Sequence, residues 1–369
     1  MQMKTEWSSR KEGECNRGDV WFRSLSALLR AFFAAALLCL SASCRQAPRE
    51  LTLSGPAMGA VYTVKIVEAD VQPAAIRLAI DKVLARIDEQ MSGYRPDSQI
   101  ARFNAAETLE WVPVSDELAE VIAISQTVSA QSGGAFDVTV APLVSAWGFG
   151  PEGSSDSRSQ APPLDRSDEL ALDRLRARIG HEKLHVRSSP AALRKEAADL
   201  AVDLNGVAPG YAVDQIAERF ERMLLTNYMV ELGGEVRARG RNAQGEPWRI
   251  AVERPHAEQT PYAIVQLEDA AVATSGEYRQ FYLRDGQRYS HTIDPRTGRP
   301  VAHALASVVV IAPRAAYADA WATAYNVLGE EEGYALASKL HMAVMFIVAR
   351  GNALSHRMTP EFERYVARE

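Results

Sequence analysis

The stretch Asp203-Leu204-Asn205-Gly206-Val207-Ala208-Pro209-Gly210-Tyr211-Ala212-Val213-Asp214 constrains the fold of this chain more than any other. Before it, Leu200, Val202 and Leu204 alternate with Asp199, Ala201 and Asp203, the two-residue period of a strand. After it, Val213, Ile216, Phe220, Met223 and Leu224 recur at helical spacing. Pro209 suits the first turn of that helix, where a missing N–H is no loss. A strand that stops as a helix starts leaves free N–H groups and the positive end of the helix dipole facing outward, a seat for a phosphate. The same pattern also fits an ordinary strand–turn–helix junction.

On either side of this turn the patterning changes. Upstream, Val61 to Val67 alternates as a strand, and Ile76, Ile80, Val83, Leu84, Ile87 and Met91 form one helical stripe. Asp116 is placed to cap a second helix bearing Leu118, Val121, Ile122, Ser125 and Val128 and ending near Gly133-Gly134. Ala135 to Val140 reads as a short extended piece. Residues 148–168 are rich in Gly, Ser, Pro and Asp without a period, which reads as a mobile surface insertion or an ordered substrate loop.

Downstream, most of the pattern is β. Val230 and Leu232 lead to a Gly-Gly turn, and Trp248, Ile250 and Val252 alternate. Tyr278 to Tyr289 reads as a hairpin with Asp285-Gly286 at its tip, and Ala306 to Ile311 as a buried strand. Ala315 to Leu328 is a predicted helix, a second follows to Leu340, and Met342 to Val348 closes as a strand. Hairpin-linked strands with helices in separate blocks predict an α+β fold of mostly antiparallel sheets.

The first 43 residues read as an export signal. Arg23 and Arg30 precede the apolar run Ala31 to Leu40, and Ser41-Ala42-Ser43 lead to Cys44. Small residues before a cysteine resemble a bacterial lipoprotein cleavage site with Cys44 lipidated, although Ser41 stands where Leu is usual; plain signal cleavage near Ser43 is the other reading. Residues 44–50 then form a tether and 51–369 the functional domain. The three cysteines are Cys15, Cys39 and Cys44, so cleavage there leaves the folded part without a disulfide, thiolate metal site or cysteine nucleophile.

Several function classes lose weight. A net charge of −6 gives no footprint for nucleic acid. There is no G-x-G-x-x-G after a strand, no Walker loop, no H-E-x-x-H, no paired C-x-x-C and no G-x-S-x-G.

Asp319 and Thr323, four apart on a predicted helix, point from one face and offer the hard oxygens that suit Mg²⁺. On spacing alone, an exposed Asp and a Thr bonded to its own backbone is the more ordinary reading. His291, between a predicted strand end and the Asp294-Pro295-Arg296-Thr297-Gly298 turn, is a candidate general base or a merely hydrogen-bonded histidine. Met58 and Tyr94, each in a Gly-containing turn, can flank a flat ring or simply pack. Phe136 can do the same, and Asp137 can accept from a nucleoside or cap a turn.

Taken in order, GPAMGAVY, MSGYRPDSQIARFN, GGAFDVTVAPLV, AVDLNGVAPGYAVD, ELGGEVRARG, ATSGEYR, SHTIDPRTGRP and ADAWATA resemble the ApbE family of FAD:protein FMN transferases, over nearly the whole chain from about Gly55. The resemblance implies an α+β, T-fold-like architecture in an exported and often lipidated protein facing the periplasm. It implies Mg²⁺-dependent transfer of FMN from FAD to a Thr or Ser hydroxyl of a target protein, with AMP released. The expected partners are flavin-accepting subunits of membrane redox complexes and related electron carriers.

Residue by residue, Met58, Tyr94, Ala135, Phe136, Asp137, Asp203 and Ile293 match family FAD contacts. Gly206, through its carbonyl, and Asp319 and Thr323 match metal ligands, and His291 matches the position assigned as base. Two departures stand out. Pro209 occupies a FAD-contacting position that is often Lys or Glu, and Ala322 stands where some members have a second acidic ligand. Hydrolysis of FAD to FMN and AMP, and non-catalytic FAD binding, are the alternative readings.

Overall fold

Eight strands hydrogen-bond into one antiparallel sheet in the same order in which they occur along the chain. They are β1 (Arg49–Ala57), β2 (Ala60–Glu68), β3 (Tyr228–Leu232), β4 (Glu235–Arg239), β5 (Asp269–Gly276), β6 (Leu305–Ala312), β7 (Ala343–Arg350) and β8 (Ala353–Met358). The computed structural model describes residues 49–68, 71–149, 169–255, 260–276, 281–284, 287–351 and 353–367. The export signal, Cys44, residues 150–168 of the expected insertion, Glu277 to Arg279 of ATSGEYR and the Asp285-Gly286 tip lie outside the described residues. Arg49 and Glu50, expected in the tether, belong to β1 and pair with Glu68 and Val67.

Both faces of the sheet are covered. Val308, Val310, Val344 and Phe346 join the helical core on one face; Val309, Ile311, Met345 and Ile347 join Trp248, Val265 and Phe362 on the other. This is why β6 and β7 read as unbroken apolar runs rather than alternating ones. The expected strand Trp248–Val252 forms, paired with Ala263–Leu267 as a separate two-stranded unit over the second face.

Two long excursions from this sheet carry the residues of interest. The first, between β2 and β3, holds α1 (Pro73–Met91), α2 (Asp116–Gln131) and α3 (Ala208–Arg222). The second, between β5 and β6, holds the Phe281–Arg284/Gln287–Ser290 hairpin and the turn after it. A fourth long helix, α4 (Ala315–Lys339), follows β6 and is interrupted at Gly329, whose φ of 77° is not helical. The expected break after Leu328 is therefore present.

Three local expectations need correction. The cap of α2 is Ser115, whose hydroxyl accepts from the Leu118 N–H; Asp116 is the first residue of the helix instead. Ala135 to Val140 is not extended: it turns, and Val138–Val140 forms a short 3₁₀ helix because the Asp137 carboxylate accepts from both the N–H and the hydroxyl of Thr139. The segment before the central turn is not a strand. Leu200, Val202 and Leu204 are buried as their alternation implies, but they pair with no strand among the described residues. The Asn104 side chain brackets Val202 instead, accepting from its N–H at 2.8 Å and donating to its carbonyl at 2.9 Å, while the Asp203 N–H donates to the Val138 carbonyl. One amide side chain thus does the work of a neighbouring strand.

Lys195, 1% exposed, ties this segment down. Its ammonium donates to the carbonyls of Phe103, Asn104 and Leu200 at 3.2–3.3 Å, the first two in the last turn of the helix Gln99–Ala105. Negative helix ends favour a cation there, while burial pulls the amine below its usual pKa.

Candidate functional site

The first turns of α3 and α4 meet, and each helix caps the other. Asp319 of α4 accepts from the Gly210 N–H at 3.0 Å, and α3 has no side-chain cap of its own. Asp214 of α3 accepts from the N–H groups of Ala315 and Ala316 at 2.9 and 3.0 Å, where α4 also lacks a cap of its own. Two orphaned sets of helix donors are thereby satisfied by two buried carboxylates. The sequence pattern singles out Asp319 but not Asp214, whose partners are distant in the chain.

The two acids differ in charge balance. Asp214 is fully buried and pairs with Arg237 at 2.8 Å, with Arg314 at 3.5 Å. Asp319, also buried, has no cationic side chain paired to it among the described residues. Burial first, and the nearby Asp214 charge, push its pKa up to about 7 against the lowering effect of the Gly210 hydrogen bond. A carboxylate so placed is a seat for either a proton or a cation.

The approach of the two helices requires glycine. A methyl on Gly210 would lie 2.4 Å from the Ala315 carbonyl oxygen and 2.8 Å from the Asp319 Cβ. Gly210→Ala should push the helix starts apart and cost about 1–3 kcal/mol, checked by denaturant unfolding. Gly206 is similarly hemmed in: its missing Cβ would lie 3.0 Å from the Thr323 hydroxyl and 3.2 Å from the Phe136 ring. The structure therefore brings Gly206, Thr323 and Phe136 together, and Gly210 and Asp319 together one turn away on the same two helix starts.

Metal fit follows from the donor types. Asp319 carboxylate, Thr323 hydroxyl and Gly206 carbonyl are oxygen donors only, the chemistry of Mg²⁺ rather than of thiolate- or imidazole-preferring ions. No group of three or more His, Cys, Asp or Glu stands together among the described residues. Ala322, where a second acid would be, is 1% exposed in the core.

The remaining expected residues lie in different settings. Asp203 closes the central turn, its carboxylate accepting from the Asn205 N–H at 2.8 Å, and burial pushes its pKa up. Asp137 is buried and occupied at one oxygen by Thr139, as described above; burial raises its pKa too. Ala135 is buried in the same bend, and Pro209 lies in the first turn of α3. Ile293 is buried against Trp147 and Tyr289, which also line a cavity of about 390 Å³ with Asp294, Arg299 and His303. His291 is half-buried, with Phe149 edge-on at 6.4 Å.

Met58 and Tyr94 stand apart from the buried cluster, 40% and 65% exposed. Met58 and Gly59 form a two-residue turn between paired Ala57 and Ala60, with φ of 49° and 75°. Such turns favour Asn-Gly; a methionine in the left-handed region is strained by about 1 kcal/mol.

The ApbE family model matches residues 58–346. The chain is 38% identical over 341 residues to the FAD:protein FMN transferase of Vibrio cholerae serotype O1, covering 91% of this chain and 98% of that one. It is 37% identical over 351 residues to the FAD:protein FMN transferase of Escherichia coli K12, covering 92% and 97%. Among solved structures, the flavin transferase ApbE from Vibrio cholerae superposes with a TM-score of 0.77 at 38% identity, covering 86% of this chain and 99% of that one. The apo form of the flavinyl transferase ApbE of Pseudomonas stutzeri gives 0.77 and 38%, covering 86% and 97%.

Proposed function

This chain belongs to the ApbE family, and from that membership we propose that it moves the FMN half of FAD onto a Thr or Ser hydroxyl of a target protein, with AMP as leaving group. It is a transferase and FAD is its donor. The observation that carries the finer reading is the meeting of two helix N-termini around one uncompensated carboxylate, Asp319. The N–H groups of Gly210, Ala315 and Ala316 are taken by the two carboxylates, so it is the lone acid, with the Thr323 hydroxyl and the Gly206 turn beside it, that suits the cation accompanying an anionic diphosphate.

In this reading Asp319, Thr323 and the Gly206 carbonyl hold Mg²⁺. When bound, the ion supplies Lewis-acid polarisation of the diphosphate. The chain's own groups do the rest. Phe136, Asp137, Asp203 and Ile293 line the nucleotide, while Met58 and Tyr94 flank the flavin from the rim. His291 takes the proton of the acceptor hydroxyl, a role typically worth 10²–10⁴-fold. Pro209 offers neither charge nor N–H, so no contact is assigned to it.

We extend the proposal to location and partner: export, lipid anchoring at Cys44 to a membrane facing the periplasm, and flavin-carrying subunits of membrane redox complexes as acceptors. No helix among the described residues is long and apolar enough to cross a membrane. Cys44→Ser should move the protein from the membrane to the soluble fraction; unchanged fractionation removes the anchor.

The deciding assay incubates the protein with FAD, Mg²⁺ and a purified flavin-carrying redox subunit. Flavin that stays on the acceptor after denaturation, one FMN in mass, with AMP released, is the expected result. Free FMN alone would make the protein a pyrophosphatase, and intact FAD a binding module. His291→Ala should bind FAD but lose transfer. Met58→Asn should relieve turn strain, stabilising the protein by about 0.5–1 kcal/mol, and weaken FAD binding several-fold through loss of the thioether contact. Thermal melts and flavin titration check both.

A further inference from the structure

We propose that Asn326 is a positioning residue for the transfer: through Thr292 it fixes where His291 stands relative to the helix bearing Asp319 and Thr323. This rests on the reading above, in which those residues are base and metal ligands. Asn326 lies on α4, one turn beyond Thr323, and is fully buried. Its amide nitrogen is 3.2 Å from the Thr292 hydroxyl and 3.2 Å from the Ser275 hydroxyl. One side chain therefore joins α4, the end of β5 and the residue next to His291.

Thr292 is pinned at its backbone as well. Its N–H donates to the Ser290 hydroxyl at 3.1 Å, and its carbonyl accepts from the Val301 N–H at 3.0 Å. With side chain and main chain both held, the His291 loop cannot slide along α4 without breaking the Asn326 contact. The other end of Asn326 is held too. Its carbonyl lies 2.7 Å from Nε2 of His303, just before the Gly329 kink, and since a carbonyl only accepts, that nitrogen carries the proton. A side chain on Gly329 would crowd the same ring, meeting His303 at 3.1 Å.

The energetics point to geometry rather than stability. Among the described residues the buried Asn326 amide oxygen has no hydrogen-bond partner, and an unsatisfied buried acceptor costs about 1–3 kcal/mol. A leucine of similar size would remove that cost while releasing two hydroxyls that can rotate to other acceptors. An amide kept in such a position is explained by the contact it holds, because displacement of a reacting group by about 1 Å can cost roughly 10²-fold in rate.

The test compares wild type, Asn326→Leu, Thr292→Val, the double variant and Thr292→Ser, using FAD, Mg²⁺ and the redox subunit that gains FMN in the assay above. We expect both single variants to lower kcat about tenfold or more, with KM for FAD within about twofold and melting temperature within about 2 °C. The double variant should be no slower than the slower single one, since both remove one contact. Thr292→Ser, which keeps the hydroxyl, should retain wild-type kcat. An unchanged kcat in Asn326→Leu, a loss that tracks a fall in melting temperature, or additive losses in the double variant would each overturn the assignment. Wild type that transfers nothing would instead overturn the proposed function, and this assignment with it.

Discussion

Replacing Asp319 with asparagine should cut FMN transfer at least about a hundredfold and, in protein stripped of divalent ions, raise the melting temperature at pH 8. The first effect follows from losing the only carboxylate assigned to the metal, where Lewis-acid stabilisation is worth several kcal/mol. The second follows from linkage. The folded protein holds the Asp319 proton more tightly than the unfolded chain does, with its pKa pushed up to about 7 from an ordinary 3.8. Ionising this group therefore opposes folding. The penalty is absent below about pH 4, grows between about pH 4 and 7, and is complete above that. Asparagine keeps the acceptor for the Gly210 N–H and carries no charge, so the gain should be on the order of 2 kcal/mol at pH 8 and vanish at pH 4. Melts at both pH values in chelator, beside the transfer assay, check the pair. A variant destabilised at pH 8 would refute the charge argument, and unaltered metal dependence would remove Asp319 from the ligand set.

Asp214→Ala should be the most destabilising single change considered, by about 3–5 kcal/mol. It strips the start of α4 of acceptors for two N–H groups and leaves Arg237 without its closest buried partner. It also removes a like charge near Asp319, so the Asp319 pKa should fall. The expected drop in melting temperature is on the order of 10 °C. Asp214→Asn, which retains an acceptor oxygen, should lose less. If the two variants melt alike, the capping contribution is negligible and the ion pair dominates.

Much of this architecture was legible because periodicity reports burial. The stripe on α1, the alternation in β2, and the apolar runs of β6 and β7 each identified their element. What periodicity does not report is which groups satisfy the backbone. Leu200, Val202 and Leu204 alternate as a strand does, yet the partner is the Asn104 side chain, nearly one hundred residues earlier. Asp137 reads as a nucleoside acceptor or a turn cap; its Thr139 bonds show that it caps the turn, which leaves the nucleoside role to the binding assay. Asp319 was visible through its spacing from Thr323, whereas Asp214 was not, since its partners lie on α4 and β4 and only the fold brings them near. Asn326 carried no signal, because a lone polar residue among Tyr325, Val327 and Leu328 gains meaning only from Ser275 and Thr292.

Lys195 has a consequence for how the neighbouring segment moves. Its charge is balanced by three peptide dipoles and by no ion-paired acid among the described residues, so giving up one carbonyl while keeping the others strands a half-solvated ammonium in a dry interior. Partial loosening of Leu200 is therefore costlier than complete release, in which the amine reaches bulk water. The start of the stretch that runs from Lys195 to Gly206 is thus pinned by one ammonium that holds Leu200 and the end of the helix Gln99–Ala105 together.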